Sequence, residues 1–222
     1  MEVLFIPFID EQIIAIIETK KMEKQERKSW SVQVEDIVKE IKAGKITASN
    51  MEMERHEFFN HSFSLYMPKS LDEMNKEDMR SKYPNENRPE LIYADSTDAI
   101  NIGINMIEED ESFKKEDLTV FRDLMLQAFV SVSPSSKVLD KDEFSNDFGN
   151  LIAYFAFDSF AIGGSMYNLV FATLLESKVA VISLNCATKA MDENKLLFYG
   201  IMHTASVKEK HEANELLGGI RF

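Results

Sequence analysis

The chain has 222 residues, 45% hydrophobic and 28% charged, with 25 Lys and Arg against 38 Asp and Glu for a formal charge of −13. That is enough length for a cooperative core and enough apolar content to exclude wholesale disorder. The negative balance disfavours nonspecific binding to nucleic acid or to an anionic membrane, both of which present like charge.

Cys186 is the only cysteine, so an intramolecular disulfide and a thiolate zinc cluster are both excluded. The apolar opening Met1-Glu2-Val3-Leu4-Phe5-Ile6-Pro7-Phe8-Ile9 lacks the basic start of a signal peptide, and Asp10 and Glu11 cut it short. No stretch reaches the roughly 18 uncharged apolar residues of a membrane span. The expectation is a soluble cytoplasmic protein.

The first sixty residues read as an extension. Residues 1–8 could form a strand, with Pro7 near its edge or end. Asp10 is a candidate N-cap for a helix carrying Ile13, Ile14, Ile16 and Ile17, and the mixed charges of residues 20–28 suit its solvated surface. A second, short helix is expected over 34–43, with Ile37, Val38 and Ile41 inward and Gly44 as its stop. Residues 45–57 are polar and include Ser49-Asn50, which reads as a linker. The chain then divides into a helical extension (1–57), a main domain (58–207) and a tail (208–222).

From Phe58 the pattern is more regular. Phe63-Ser64-Leu65-Tyr66-Met67 alternates as a strand and stops at Pro68. Ser70, with Glu73 at the capping-box position, is expected to open a helix through Leu71, Met74 and Met79 to about Lys82. The two prolines of Tyr83-Pro84-Asn85-Glu86-Asn87-Arg88-Pro89 force a turn. Residues 90–94 and 100–107 form a strand pair around Asp95-Ser96-Thr97-Asp98. In the second strand Ile100, Ile102, Ile104 and Met106 share one face, and Asn101, Gly103 and Asn105 share the other. After the acidic connection 108–117 comes a long amphipathic helix through Leu118, Phe121, Leu124, Met125, Ala128, Phe129 and Val132, ending before Pro134. Strands follow over 137–144, 150–157, 167–175 and 178–185, with short connections that favour antiparallel pairing. Thr188 or Asp192 opens a last helix through Leu196, Leu197, Ile201 and Met202. The order predicts an α+β fold: an antiparallel sheet of about six or seven strands with helices packed on it.

The strand Phe63 to Met67 ended by Pro68, the turn Lys82 to Pro89, the strands about Asp95 to Asp98, the long helix and the final meander resemble the Mog1p/PsbP-like fold over about residues 58–207. The first two segments look more particularly like uncharacterised bacterial proteins of that shape. The resemblance implies an α/β/α sandwich and a non-enzymatic, protein-binding or scaffold role. Members include a nuclear transport factor that binds a small GTPase and an extrinsic photosystem II subunit. No contact residue of either carries over.

Candidate chemistry is sparse. His56 and His61, with Glu52, Glu54 and Glu57 nearby, could supply metal ligands, but a five-residue separation suits neither a helical nor a strand pair, and a solvated linker is the expected reading. His203 and His211 are expected at the surface. The run from Asp140 to Asp147 has Ser145 and Leu151 where a calcium loop needs glycine and glutamate, and reads as an exposed acidic turn. Glu108-Glu109-Asp110-Glu111 is a solvated connection or a site for a basic partner. Ser165 lacks the glycine spacing of a nucleophile elbow, and Cys186 reads as a core residue. Tyr83 and Arg88 share a rigid loop and are the candidate partner contacts. The alternative is that Tyr83 packs on the sheet edge and Arg88 pairs with a local glutamate. No cofactor and no metal is expected, and a homodimer through the extension is possible in principle. The function expected is protein binding by one sheet face or the 83–88 loop. The competing class is a small-molecule or hydrolytic function in a cleft between the sheet and the extension.

Overall fold

The computed structural model describes residues 8–84, 88–97, 99–108, 113–161, 164–175 and 178–208. Its first element is a single helix, α1 (Phe8–Lys42), where two were expected. Nothing between Lys28 and Val34 breaks a helix, since neither glycine nor proline occurs there. Trp30, Val34, Ile37, Val38 and Ile41 recur at three- and four-residue spacing and pack into the core. Gly44, at φ 89°, ends the turn that follows.

Residues 45–57 are strands, not a linker. β1 (Lys45–Ile46) pairs with β2 (Met51–Phe58), which pairs with β3 (Phe63–Pro68). Glu52, Glu54 and Glu57 disguise β2, but Met53 and Phe58 are buried, and its largely buried partner β3 supplies the burial that local propensity does not. The helix expected from Ser70 is also shorter. Residues 72–73 form β4 (Asp72–Glu73), and α2 (Lys76–Lys82) is capped by Asn75, whose side chain accepts from the Glu77 and Asp78 amides at 3.0 and 2.9 Å. A cap that satisfies two orphan amides at Asn75 outcompetes the one proposed at Ser70.

The next elements follow the expected order: β5 (Leu91–Ala94), β6 (Ile100–Glu108), α3 (Leu118–Val132), β7 (Lys137–Ser145), β8 (Leu151–Ala161), β9 (Gly164–Leu175), β10 (Lys178–Ala187) and α4 (Met191–His203); a short strand that was not expected, β11 (Ser206–Val207), comes after them. The run from Asp140 to Ser145 is therefore strand, and the turn begins at Asn146. Among the described residues the strands make two sheets. The larger has the order β4-β5-β6-β10-β9-β8-β7, and the smaller β1-β2-β3-β11. Every pairing is antiparallel.

Strand alternation gives the large sheet two unlike faces. Ile102, Ile104, Tyr167, Leu169, Phe171, Ile182 and Leu184 face α1, α4 and the small sheet in the main core. Here α4 and α1 approach so closely that a Cβ at Gly200 would lie 2.7 Å from Ile41 Cδ1 and 2.8 Å from Ile37 Cγ2. On the opposite face α3 lies over β8 and β9, burying Leu118 and Leu126 with Ala153, Phe155, Phe157 and Val170. The part of that face formed by β6 and β10 carries the polar side chains Asn101, Asn105, Ser183 and Asn185 beside Ile107 and Val181.

Candidate functional site

Those polar side chains form the floor of a groove of about 360 Å³ between α3 and the loop that carries Tyr83 and Pro89. Strand register sets the floor. Asn101, Asn185 and Asn168 stand opposite one another on β6, β10 and β9, and Gly103 stands opposite Ser183. Asn105 completes the β6 side, while Met125, Phe129 and Phe157 form the α3 side. Phe129 packs against Phe155 and Phe157 at centroid distances of 5.9 and 5.4 Å, which fixes the wall.

Gly103 lets the opposite wall close. A Cβ there would lie 2.7 Å from both Pro89 Cγ and Ser183 Oγ, so the loop rests directly on the backbone of β6. Asn168 Nδ2 donates to Ser159 Oγ at 3.0 Å and to the Met166 carbonyl at 2.9 Å, which holds that amide in place. Asn105, Ser183 and Asn185 are half-buried, and their side chains make no hydrogen bond to the described residues. All the groove-lining residues among those described are uncharged. The floor therefore offers neutral donors and acceptors, and no group poised for acid–base chemistry.

A second cleft, of about 340 Å³, lies between α1 and the β7 edge of the sheet, the place expected for a small-molecule site. Trp30, Glu35, Asp142, Glu143, Tyr199 and His203 line it. Tyr199 and Tyr154 donate to Asp140 Oδ2 at 2.6 and 3.2 Å, and burial, reinforced by that carboxylate, raises both phenols above their ordinary range. His203 is not the surface residue expected. It stacks on Phe144 at 4.1 Å, and burial pushes its pKa down to about 4. Trp30 meets Tyr199 edge-on at 5.4 Å, which docks α1 over this network.

The other candidates scatter. His56 lies in β2 beside Phe58 and Tyr93, with Nε2 3.0 Å from Glu54, and His61 pairs with Glu57 at the β2–β3 hairpin. The hairpin turns through Phe59, Asn60 and His61, all at positive φ. No group of three or more His, Cys, Asp or Glu that could hold a metal occurs among the described residues. Cys186 is fully buried, and burial pushes its thiol up to about 11. Ser165 sits in β9 opposite Phe160. His211 and Glu109, Asp110 and Glu111 fall outside the described residues. No helix among those described is long and apolar enough to cross a membrane. Tyr83 lines the groove; Arg88 is half-buried in the same loop but does not line it. Sequence reading placed Asn101, Gly103 and Asn105 on one polar strand face but missed Asn168, Ser183 and Asn185. The alternation Ile182-Ser183-Leu184-Asn185 in β10 carries the same signal.

The layered arrangement is the Mog1p/PsbP-like fold. The chain is similar to the cyanobacterial PsbP protein CyanoP from Synechocystis sp. PCC 6803, with a TM-score of 0.56 and 13% identity over 70% of this chain and 92% of that one. It is also similar to the Ran-binding protein Mog1p of Saccharomyces cerevisiae, with a TM-score of 0.48 and 13% identity over 71% of this chain and 96% of that one. LpqN of Mycobacterium tuberculosis, described as involved in cell envelope biogenesis, gives 0.49 and 8% identity over 71% and 92%. Identities this low establish a fold and transfer no residue role. No protein-family model matches the sequence, and no curated protein matches it either.

Proposed function

We propose that this is a non-catalytic cytoplasmic protein that binds another protein, with the groove between α3 and the 83–89 loop as its contact surface. One observation carries the reading: a groove open to solvent on a central sheet face, with neutral amides on its floor and aromatic walls. Its apolar side continues out of the groove. Met125, Phe129 and Val132 share a face of α3, and exposure rises to 43% at Phe129 and 87% at Val132. Aromatic side chains at such a rim are the usual anchors of an interface. Tyr83 serves as one anchor, and Arg88 contributes from the same loop. A second copy of the chain is proposed to associate through the projecting part of α1.

The competing reading, a hydrolytic or small-molecule site, is favoured by the carboxylates Glu35, Asp142 and Glu143 beside His203 in the α1 cleft. It is the weaker one, because an imidazole titrating near 4 is poorly matched to proton transfer at neutral pH.

Affinity capture with the full chain separates the two. The expected result is a stoichiometric protein retained by the wild type and lost by about tenfold or more with Val132→Glu, a change at an exposed position that leaves the melting temperature unchanged. Recovery of a metabolite instead, or a protein held equally by the variant, would overturn the reading.

A further inference from the structure

We infer that the groove accepts an uncharged segment of the partner polypeptide, one without Asp, Glu, Lys or Arg; this rests on the protein-binding reading and specifies its chemistry. The chain carries a formal charge of −13, yet none of the described residues lining the groove is charged at neutral pH. Long-range attraction would bring a cationic segment to the surface, but no carboxylate among the described lining residues would receive its charge there. An anionic segment would meet repulsion from the chain and no basic group among the described lining residues. In either case seating the segment removes a charge from water without a partner for it, which costs far more than burying a neutral polar group.

The floor states what replaces charge. Asn105, Ser183 and Asn185 have side chains that bond to none of the described residues. An asparagine amide offers two donors and a carbonyl acceptor, so it complements a peptide group or the side chain of Asn, Gln, Ser or Thr. Asn101, Asn185 and Asn168 lie in register on three neighbouring strands, about 4.8 Å apart, so the amides form a row instead of a single point. Apolar groups of the segment meet Met125, Phe129, Phe157 and Tyr83. The occupant is a polypeptide segment because the apolar wall does not end with the cavity but continues along α3 through Phe129 to Val132.

The test uses the full chain and a display library of random dodecapeptides. Peptides enriched on the wild type are expected to be depleted in all four charged residue types relative to the input library. They are expected to bind Asn185→Asp, which changes the floor's charge with almost no change of shape, about tenfold more weakly. Asn105→Asp serves as a second variant if the first lowers the melting temperature. Enrichment of charged peptides that still depend on Asn185 would overturn the uncharged segment and leave protein binding standing. Peptides indifferent to both Asp variants, or no enrichment at all, would overturn this inference, while the capture experiment with Val132→Glu decides the protein-binding reading separately.

Discussion

Gly103 and His203 show how single positions divide the molecule into a binding face and a structural face. At Gly103 the absent side chain is what allows Pro89 to seat 2.7 Å from where a Cβ would be, so one residue of β6 sets the width of the groove. At His203 the side chain is spent on packing against Phe144, with Asp147 favouring and Lys42 opposing its protonation. Its pKa of about 4 lies below the ordinary 6.5, so the unfolded chain takes up a proton that the folded chain refuses. Stability therefore falls as pH drops from about 6.5 towards 4. His203→Gln is expected to flatten the pH dependence of the unfolding free energy over that window, by an amount on the order of 1–2 kcal/mol after allowing for partial solvent screening. Further loss at lower pH persists, because carboxyls such as Asp147, held low by Lys42, still become protonated. An unchanged slope in the variant would contradict the buried, neutral imidazole. Burial of His203 was not legible in the sequence, because its partner Phe144 is fifty-nine positions away in β7's antiparallel return.

Among the elements, α1 shows two regimes in one helix. From Trp30 onward it is docked by Ile37, Val38 and Ile41 against Gly200, whose missing side chain sets the distance between the helices. Before Trp30 the described side chains, Ile16 and Met22 included, are exposed. The Lys42–Asp147 ion pair, at 2.8 Å, ties the docked end to the β7–β8 turn and leaves the other end unattached to it. A helix of this length is unlike one stabilised along its whole course by its own core, and a partner helix from a second copy would cover the projecting part. Light scattering on the full chain is expected to give twice 25.5 kDa, and removal of residues 1–29 to give a monomer. A monomeric full chain would contradict the proposed association. The inward stripe of α1 was readable from the spacing of Ile37, Val38 and Ile41. Its continuity was not, because a second helix was expected to begin afresh at Val34, although neither glycine nor proline separates it from the charged stretch 20–28.

At the scale of the molecule, the decisive asymmetry is that α1, α4 and the small sheet cover one face of the seven-stranded sheet except for the cleft at its β7 edge, whereas α3 covers the other only over β8 and β9. The succession of strands along the chain and the antiparallel meander of β7 to β10 followed from apolar alternation and short connections, whereas the pairing of β6 with β10 did not. The separation into two sheets did not, since β2 gains its place through pairing with β3 and not through its own side chains. The groove was half legible for a similar reason. Asn101 and Asn105 are visible as a polar face within one strand, but only register brings Asn168 and Asn185 beside Asn101. The charge-free lining is a property of five strands, a helix and a loop taken together, and no local window contains it. The proposal with most at stake at this scale is occupation of that groove by a protein. A photo-crosslinking side chain placed at position 132 of the full chain, inside cells, tests it most directly, with position 39 on the opposite layer as the control. A discrete protein adduct at 132 that is absent at 39 is the expected result. Equal adducts at both positions, or none at 132, would contradict it.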